Sequence, residues 1–372
     1  MRLAGLIKVF ICILSFISSN AFSQKKGCKD LKKSISESQY KIAANNSRSD
    51  SIDILNYHIS LNISNFSTKI ISGFCTVKFS AKVNAIAQLD LDLLKLTVDS
   101  IKQQNNTLIY TYNDTLLRIN LNTALNSGDV DSVKVYYHGV PKIDGSGWGG
   151  FYFTPTYAYN LGVGFDANPH NYGRVWFPCF DNFVERSTYR FSITTAAAKK
   201  AACNGVLVGH TINPNNSETW NWQMNETIPT YLACVAISAY KTVHQTFTGI
   251  NGPIPVELQG VANDTNNIKA SFIHLENAFD TYEQHFGAYS WSKIGYSFVP
   301  FNSGAMEHAT NVTYPRAFAN GSLNYETIMA HEFAHHWWGD LVTCSTAEDM
   351  WINEGMASYC EDLFVENLYG KA

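Results

Sequence analysis

Apolar and polar positions keep two different rhythms along this chain, and each predicts a different kind of structure. From residue 52 the rhythm is alternation: Leu55, Tyr57, Ile59, Leu61 and Ile63 are separated by single residues, and Cys75, Val77 and Phe79 repeat the pattern. Side chains point to opposite faces along a strand, so this spacing predicts β-strands with one buried face. Similar short segments at 108–112, 116–121, 133–137, 189–194, 219–222 and 232–237 are separated by turns rich in Asn, Ser and Gly. Together they predict a sandwich-like antiparallel β domain over residues 51–248. The aromatic stretch ending in Trp176, Phe177, Pro178, Cys179, Phe180 and Asp181 reads as a turn pinned by its proline between packed rings.

The second rhythm follows the turn at Asn251, Gly252 and Pro253 and a strand at 255–258. Ile268, Phe272, Leu275, Phe279 and Tyr282 recur three and four apart, which predicts one amphipathic helix over residues 266–286. A strand at 294–300 and an apolar piece at 311–314 lead to a helix flanked by Ile328, Met329, Phe333 and Trp337, which Asn320, Gly321 and Ser322 are expected to cap. A last helix runs to about residue 368. The fold class is α+β and multidomain, with a mixed α/β domain over residues 249–372.

Composition adds an address. Residues 1–23 carry Arg2 and Lys8 ahead of a short apolar run at 9–14 and end in Ala21, Phe22 and Ser23, the layout of a signal peptide. This predicts a secreted or periplasmic protein, with an uncleaved membrane anchor as the alternative and no stable membrane span once the signal is cut. A polar lead-in at 24–50 follows. Cleavage would move the formal net charge from −4 to −6, and no basic block is present, which argues against a nucleic-acid partner. Seven cysteines would remain; an exported chain could pair some and leave at least one free. None forms a C-x-x-C pair, so zinc binding by cysteine is not expected.

The candidate chemistry lies in His331, Glu332 and His335, an H-E-x-x-H spacing. Four residues advance a helix by a little over one turn, so the two imidazoles share a face and can grip one metal ion. Glu332 stands beside them as a candidate base. Glu354 follows in a second helical stretch, after eighteen intervening residues, and would complete two nitrogens and one oxygen, the ligand set of a catalytic zinc site.

Several separated motifs now coincide. Trp176 to Asp181, then Gly304, Ala305, Met306 and Glu307, then the H-E-x-x-H helix with Gly339, Asp340, Leu341, Val342 and Thr343 behind it, and finally Asn353, Glu354, Gly355, Met356, Ala357, Ser358 and Tyr359 resemble the aminopeptidase N family of zinc metallopeptidases. The resemblance implies a saddle-shaped β domain followed by a thermolysin-like catalytic domain. It implies one Zn2+ per chain held by His331, His335 and Glu354, with Glu332 as general base and acid. Peptides with a free N-terminus would be the substrates, their α-amine bound by Glu307 within the segment Gly304, Ala305, Met306 and His308.

Three departures accompany it. His308 stands where the family has asparagine. Residues 165–169 lack the glutamine and glutamate with which many members help hold the amine. The family also continues past the Glu354 helix with an oxyanion-stabilising tyrosine and a helical domain, so the catalytic domain is expected to be incomplete here; Tyr359 and Tyr369 match no position for that role. The alternative to a peptidase is a non-catalytic zinc- and peptide-binding module of the same fold.

Overall fold

Alternation builds the first part of the molecule. The computed structural model describes residues 47–371; the signal peptide read at 1–23 and nearly all of the lead-in lie outside the described residues. Ile52–Asn62 sits inside an eight-stranded sheet, antiparallel to Ile71–Ala81 and parallel to Ser187–Thr195. Its inner face carries Tyr57, Ile59 and Leu61, each buried as the alternation predicts. Leu55 is the exception. A register shift between Ile54 and Asn56 turns Ile54 into the core instead, and the Leu55 carbonyl accepts a hydrogen bond from the Thr188 hydroxyl. A bulge of this kind inserts one residue and reverses the facing of everything before it.

The Trp176 to Asp181 turn is a packed core element, as its rings and proline suggested. Trp176, Phe177 and Phe180 are buried, and the Phe180 amide donates to the Tyr57 hydroxyl at 2.9 Å. Asp181 anchors the turn. Its carboxylate accepts from the amides of Gly173 and Arg174, from the Thr230 hydroxyl, and from Arg174 Nη1 at 3.0 Å. Arg174 also donates to the carbonyls of Asn171 and Pro169, so both charges are buried but fully engaged.

A four-stranded sheet forms the second part. Tyr240–Gly249 pairs antiparallel with Gly252–Val261, which runs parallel to Ile294–Val299, itself parallel to Val312–Pro315. The hairpin spanning the expected boundary near residue 248 thus belongs, by hydrogen bonding, to the downstream sheet. Ile294–Val299 is buried along its whole length, as an inner parallel strand must be. The helix predicted over 266–286 is broken: Thr265–Ser271 and Leu275–Phe286 are separate. The break lets Phe272 turn its ring edge-on to Tyr296, Phe298 and Tyr314, at 4.9, 5.2 and 5.4 Å between centroids. Aromatic packing here outweighs the helical bonds lost over one turn.

Hydrogen bonds join the two parts near the motif residues. Trp148 Nε1 donates to Ser303 O, Asn204 Nδ2 to Ala309 O, and the Gly205 amide to Thr310 Oγ1. The six described cysteines are all buried and unpaired with one another. No described helix is long and apolar enough to cross a membrane. Removing one partner of a buried, hydrogen-bonded ion pair strands the other, so Asp181→Ala should cost about 3–5 kcal/mol of stability; urea unfolding of the variant measures it, and a loss within experimental error would mean that the pair does not anchor the turn.

Candidate metal centre

Two helices supply the site. Glu326–Ala334 carries His331 and Glu332, and His335 follows in helical backbone geometry, its amide bonded to the His331 carbonyl at 3.3 Å. The expected cap is absent from this helix. Asn320 closes its own turn by accepting from the Ser322 amide and hydroxyl, and Tyr325 precedes the first helical residue without a side-chain cap. The helix is buried from Glu326 to Ala334, so tertiary packing rather than capping holds it. Met350–Tyr369 carries Glu354. The Tyr282 hydroxyl lies 3.0 Å from the Ala330 carbonyl and 3.1 Å from that of Cys360, and so ties the two helices together.

His331 Nε2 and His335 Nε2 stand 3.2 Å apart, and Glu354 Oε2 lies 3.4 Å from the first and 4.0 Å from the second. What each imidazole does with its other nitrogen decides the chemistry. His335 Nδ1 faces the Trp338 carbonyl at 2.9 Å, and His331 Nδ1 faces Glu361 Oε1 at 2.7 Å. A carbonyl and a carboxylate only accept, so both Nδ1 atoms carry the proton and, in the neutral rings, both Nε2 atoms present lone pairs. In that tautomer two nitrogen lone pairs and a carboxylate oxygen converge on one point. A cation between them is favoured by all three, and an N, N, O donor set fits zinc.

Glu332 is buried on the same helix, and Glu307 reaches it from the sheet edge. Met306 and Thr313 exchange both backbone hydrogen bonds at 2.9 Å, which extends the sheet by one residue pair and presents Glu307. Ligand atoms of Glu307, Glu332 and His335 all lie within 4.8 Å of one another. Gly304 opens this segment at φ +130°, and a Cβ there would stand 3.3 Å from the Trp148 indole, so both conformation and space call for glycine. Ala305 and Met306 are buried beside it. His308 lies apart from both groups of converging ligand atoms. Its Nδ1 pairs with Thr313 Oγ1 at 2.9 Å, and burial pushes its pKa down to about 3, so the ring is neutral. The neighbouring His336 meets the Tyr289 hydroxyl at 2.8 Å.

Sequence reasoning passed over Glu361. The signal was available: it stands seven residues beyond Glu354, two helical turns along, and so on the same face. Asp340 was visible only as a motif letter. Burial pushes its carboxyl well above the ordinary value, the Glu307 carboxylate adds to this, Arg186 opposes it, and Glu332 adds again. The unfolded chain loses that proton at lower pH than the folded chain, so stability falls as pH rises above the usual carboxylate range. Asp340→Asn should remove this loss. In zinc-free protein, the stability of the variant relative to the unsubstituted chain should grow from about pH 4 to about pH 7 in urea unfolding; a flat difference would show Asp340 to be ionised in the fold.

Two family models match the chain: the peptidase M1 N-terminal domain over residues 54–232 and the peptidase family M1 domain over residues 271–372. Human glutamyl aminopeptidase is 30% identical over 233 residues, 59% of this chain and 24% of that protein. Aminopeptidase N of Canis lupus familiaris is 31% identical over 204 residues, 51% of this chain and 21% of that protein. The chain thus spans about a quarter of the length of the curated relatives it matches. Among solved structures, an M1 zinc metallopeptidase from Deinococcus radiodurans, in a glutamate-to-alanine variant bound to a Tyr-Ser-Ala substrate, superposes with a TM-score of 0.75 at 22% identity, over 86% of this chain and 72% of that one. A two-domain M1 zinc metallopeptidase bound to L-arginine gives 0.77 at 22% identity, over the same shares. The chain belongs to peptidase family M1, with that family's N-terminal domain and part of its catalytic domain following one another along it.

Proposed function

We propose that this chain carries the metal and amine-binding site of a zinc aminopeptidase that removes single residues from the N-termini of peptides, with one zinc ion per chain. The observation that carries the reading is the pair of imidazoles whose Nδ1 atoms are both committed as donors, leaving two Nε2 lone pairs facing Glu354. When bound, zinc supplies a Lewis acid at the scissile carbonyl and makes a neighbouring water easier to deprotonate. Glu332, on the turn between the two histidines, takes that proton and passes it to the leaving amine. Its burial keeps bulk water from competing for the transfer.

Glu307 acts on the other end of the substrate residue. Two buried carboxylates within 4.8 Å repel each other, and a positive α-ammonium held by Glu307 relieves that repulsion while fixing the scissile bond one residue away. A continuing chain offers an uncharged amide there and gains nothing, which selects exopeptidase over endopeptidase cleavage. Gly304, Ala305 and Met306 supply the extended segment that presents Glu307. His308, neutral and tied to Thr313, holds the far end of that segment and adds no charge to it. The signal peptide read at residues 1–23 would direct this hydrolysis to a secreted or periplasmic setting.

Three measurements on the full-length gene product test the reading. Chelation should abolish hydrolysis of aminoacyl reporter substrates, and one equivalent of zinc should restore it. Glu332→Gln should retain the metal while kcat falls about 100- to 10,000-fold; unchanged turnover would remove Glu332 from the mechanism. Acetylating the substrate amine should suppress cleavage, and equal rates for blocked and free peptides would refute the exopeptidase assignment.

A further inference from the structure

We propose that Arg186 and Tyr231, both in the N-terminal β-rich part, are positioning residues for the metal ligand His335, acting through the turn that follows the motif helix. The proposal rests on the reading of His331, His335 and Glu354 as a zinc site. The His335 proton goes to the carbonyl of Trp338, the first residue of a tight turn closed by the Gly339 amide on the Val342 carbonyl at 2.9 Å. The turn is pressed onto the ligand: a Cβ at Gly339, whose φ is +143°, would stand 3.1 Å from His335 Nδ1. Its outer side gains little from apolar burial, since Leu341 and Val342 are 45% and 53% exposed.

Polar contacts from the β-rich part hold it instead. Arg186 Nη2 donates to the Asp340 carbonyl at 2.7 Å and to Thr227 O at 2.8 Å, while Nη1 donates to Thr343 Oγ1 at 2.7 Å. The Thr343 hydroxyl in turn donates to the Gly339 carbonyl at 2.6 Å, and the Tyr231 hydroxyl reaches the same oxygen at 3.2 Å. The carbonyl that fixes the His335 tautomer is therefore one peptide unit from an oxygen held by the Thr343 and Tyr231 hydroxyls, and the Arg186 guanidinium, bonded also to the Thr227 carbonyl, holds that Thr343 hydroxyl and the next carbonyl of the turn. If that grip is lost, the turn can rotate, Trp338 O leaves Nδ1, and His335 no longer offers a fixed Nε2 lone pair. Outer-shell partners of metal-binding histidines contribute about 10- to 100-fold in affinity.

The experiment uses the full-length protein with zinc, and with Co2+ substituted for zinc as an optical probe of ligand geometry. Arg186→Gln and Tyr231→Phe should each weaken zinc binding about 10- to 100-fold in chelator competition and shift the visible Co2+ bands. Trp148→Phe removes one hydrogen bond at the same junction without touching the turn, and it should leave zinc affinity and the Co2+ spectrum unchanged. Tyr231→Phe deletes a single oxygen and keeps the test available if Arg186→Gln does not fold. Affinity and spectrum unchanged in Tyr231→Phe, or an equal loss in Trp148→Phe, overturns the positioning role while the metal site stands. An unsubstituted protein that takes up no zinc overturns the metal reading and this inference with it.

Discussion

The constraint on which the site depends is the commitment of two imidazole protons. Once Glu361 and the Trp338 carbonyl accept the Nδ1 hydrogens, two Nε2 atoms of buried imidazoles are turned toward each other and toward the Glu354 carboxylate. Burial strengthens their pull on a cation, because fewer solvent dipoles screen it. The helices that bring these groups together are held by other forces: the Tyr282 hydroxyl spans them and Phe333 packs into the aromatic cluster beneath.

Around this centre the electrostatics are graded by burial. Glu307 and Glu332 place carboxyl groups beside His335, Asp340 is driven toward its neutral form, and His308 is neutral. A cluster of acidic side chains around two imidazoles suits a cation far better than an anionic ligand. The β-rich part is more than a lid beside this pocket, since Trp148, Arg186, Asn204 and Tyr231 all bond to backbone or hydroxyl groups of the catalytic segment.

Where sequence reading and structure part, the reason is packing. The alternation from Leu55 to Ile63 named the right strand but put Leu55 inside, because a bulge is set by pairing with Ile71–Ala81 and leaves no mark in the periodicity. The continuous helical spacing of residues 266–286 hid a break that exists to seat Phe272 among three rings. The Asn320 cluster has the chemistry of a cap, yet it spends it on its own turn several residues ahead of the helix.

By itself the sequence determined what is local: that His331 and His335 share a helical face, that Glu332 lies beside them, and that alternating and helical rhythms divide the chain. These follow from the repeat of the backbone, which spacing alone fixes. The tertiary structure decided how close Glu354 comes to the two imidazoles, which groups accept the two Nδ1 protons, and that Glu307 lies beside Glu332 from the edge of a sheet. Those relations join residues far apart in the chain, and only the packing of helices, sheet and β-rich part brings them within bonding distance.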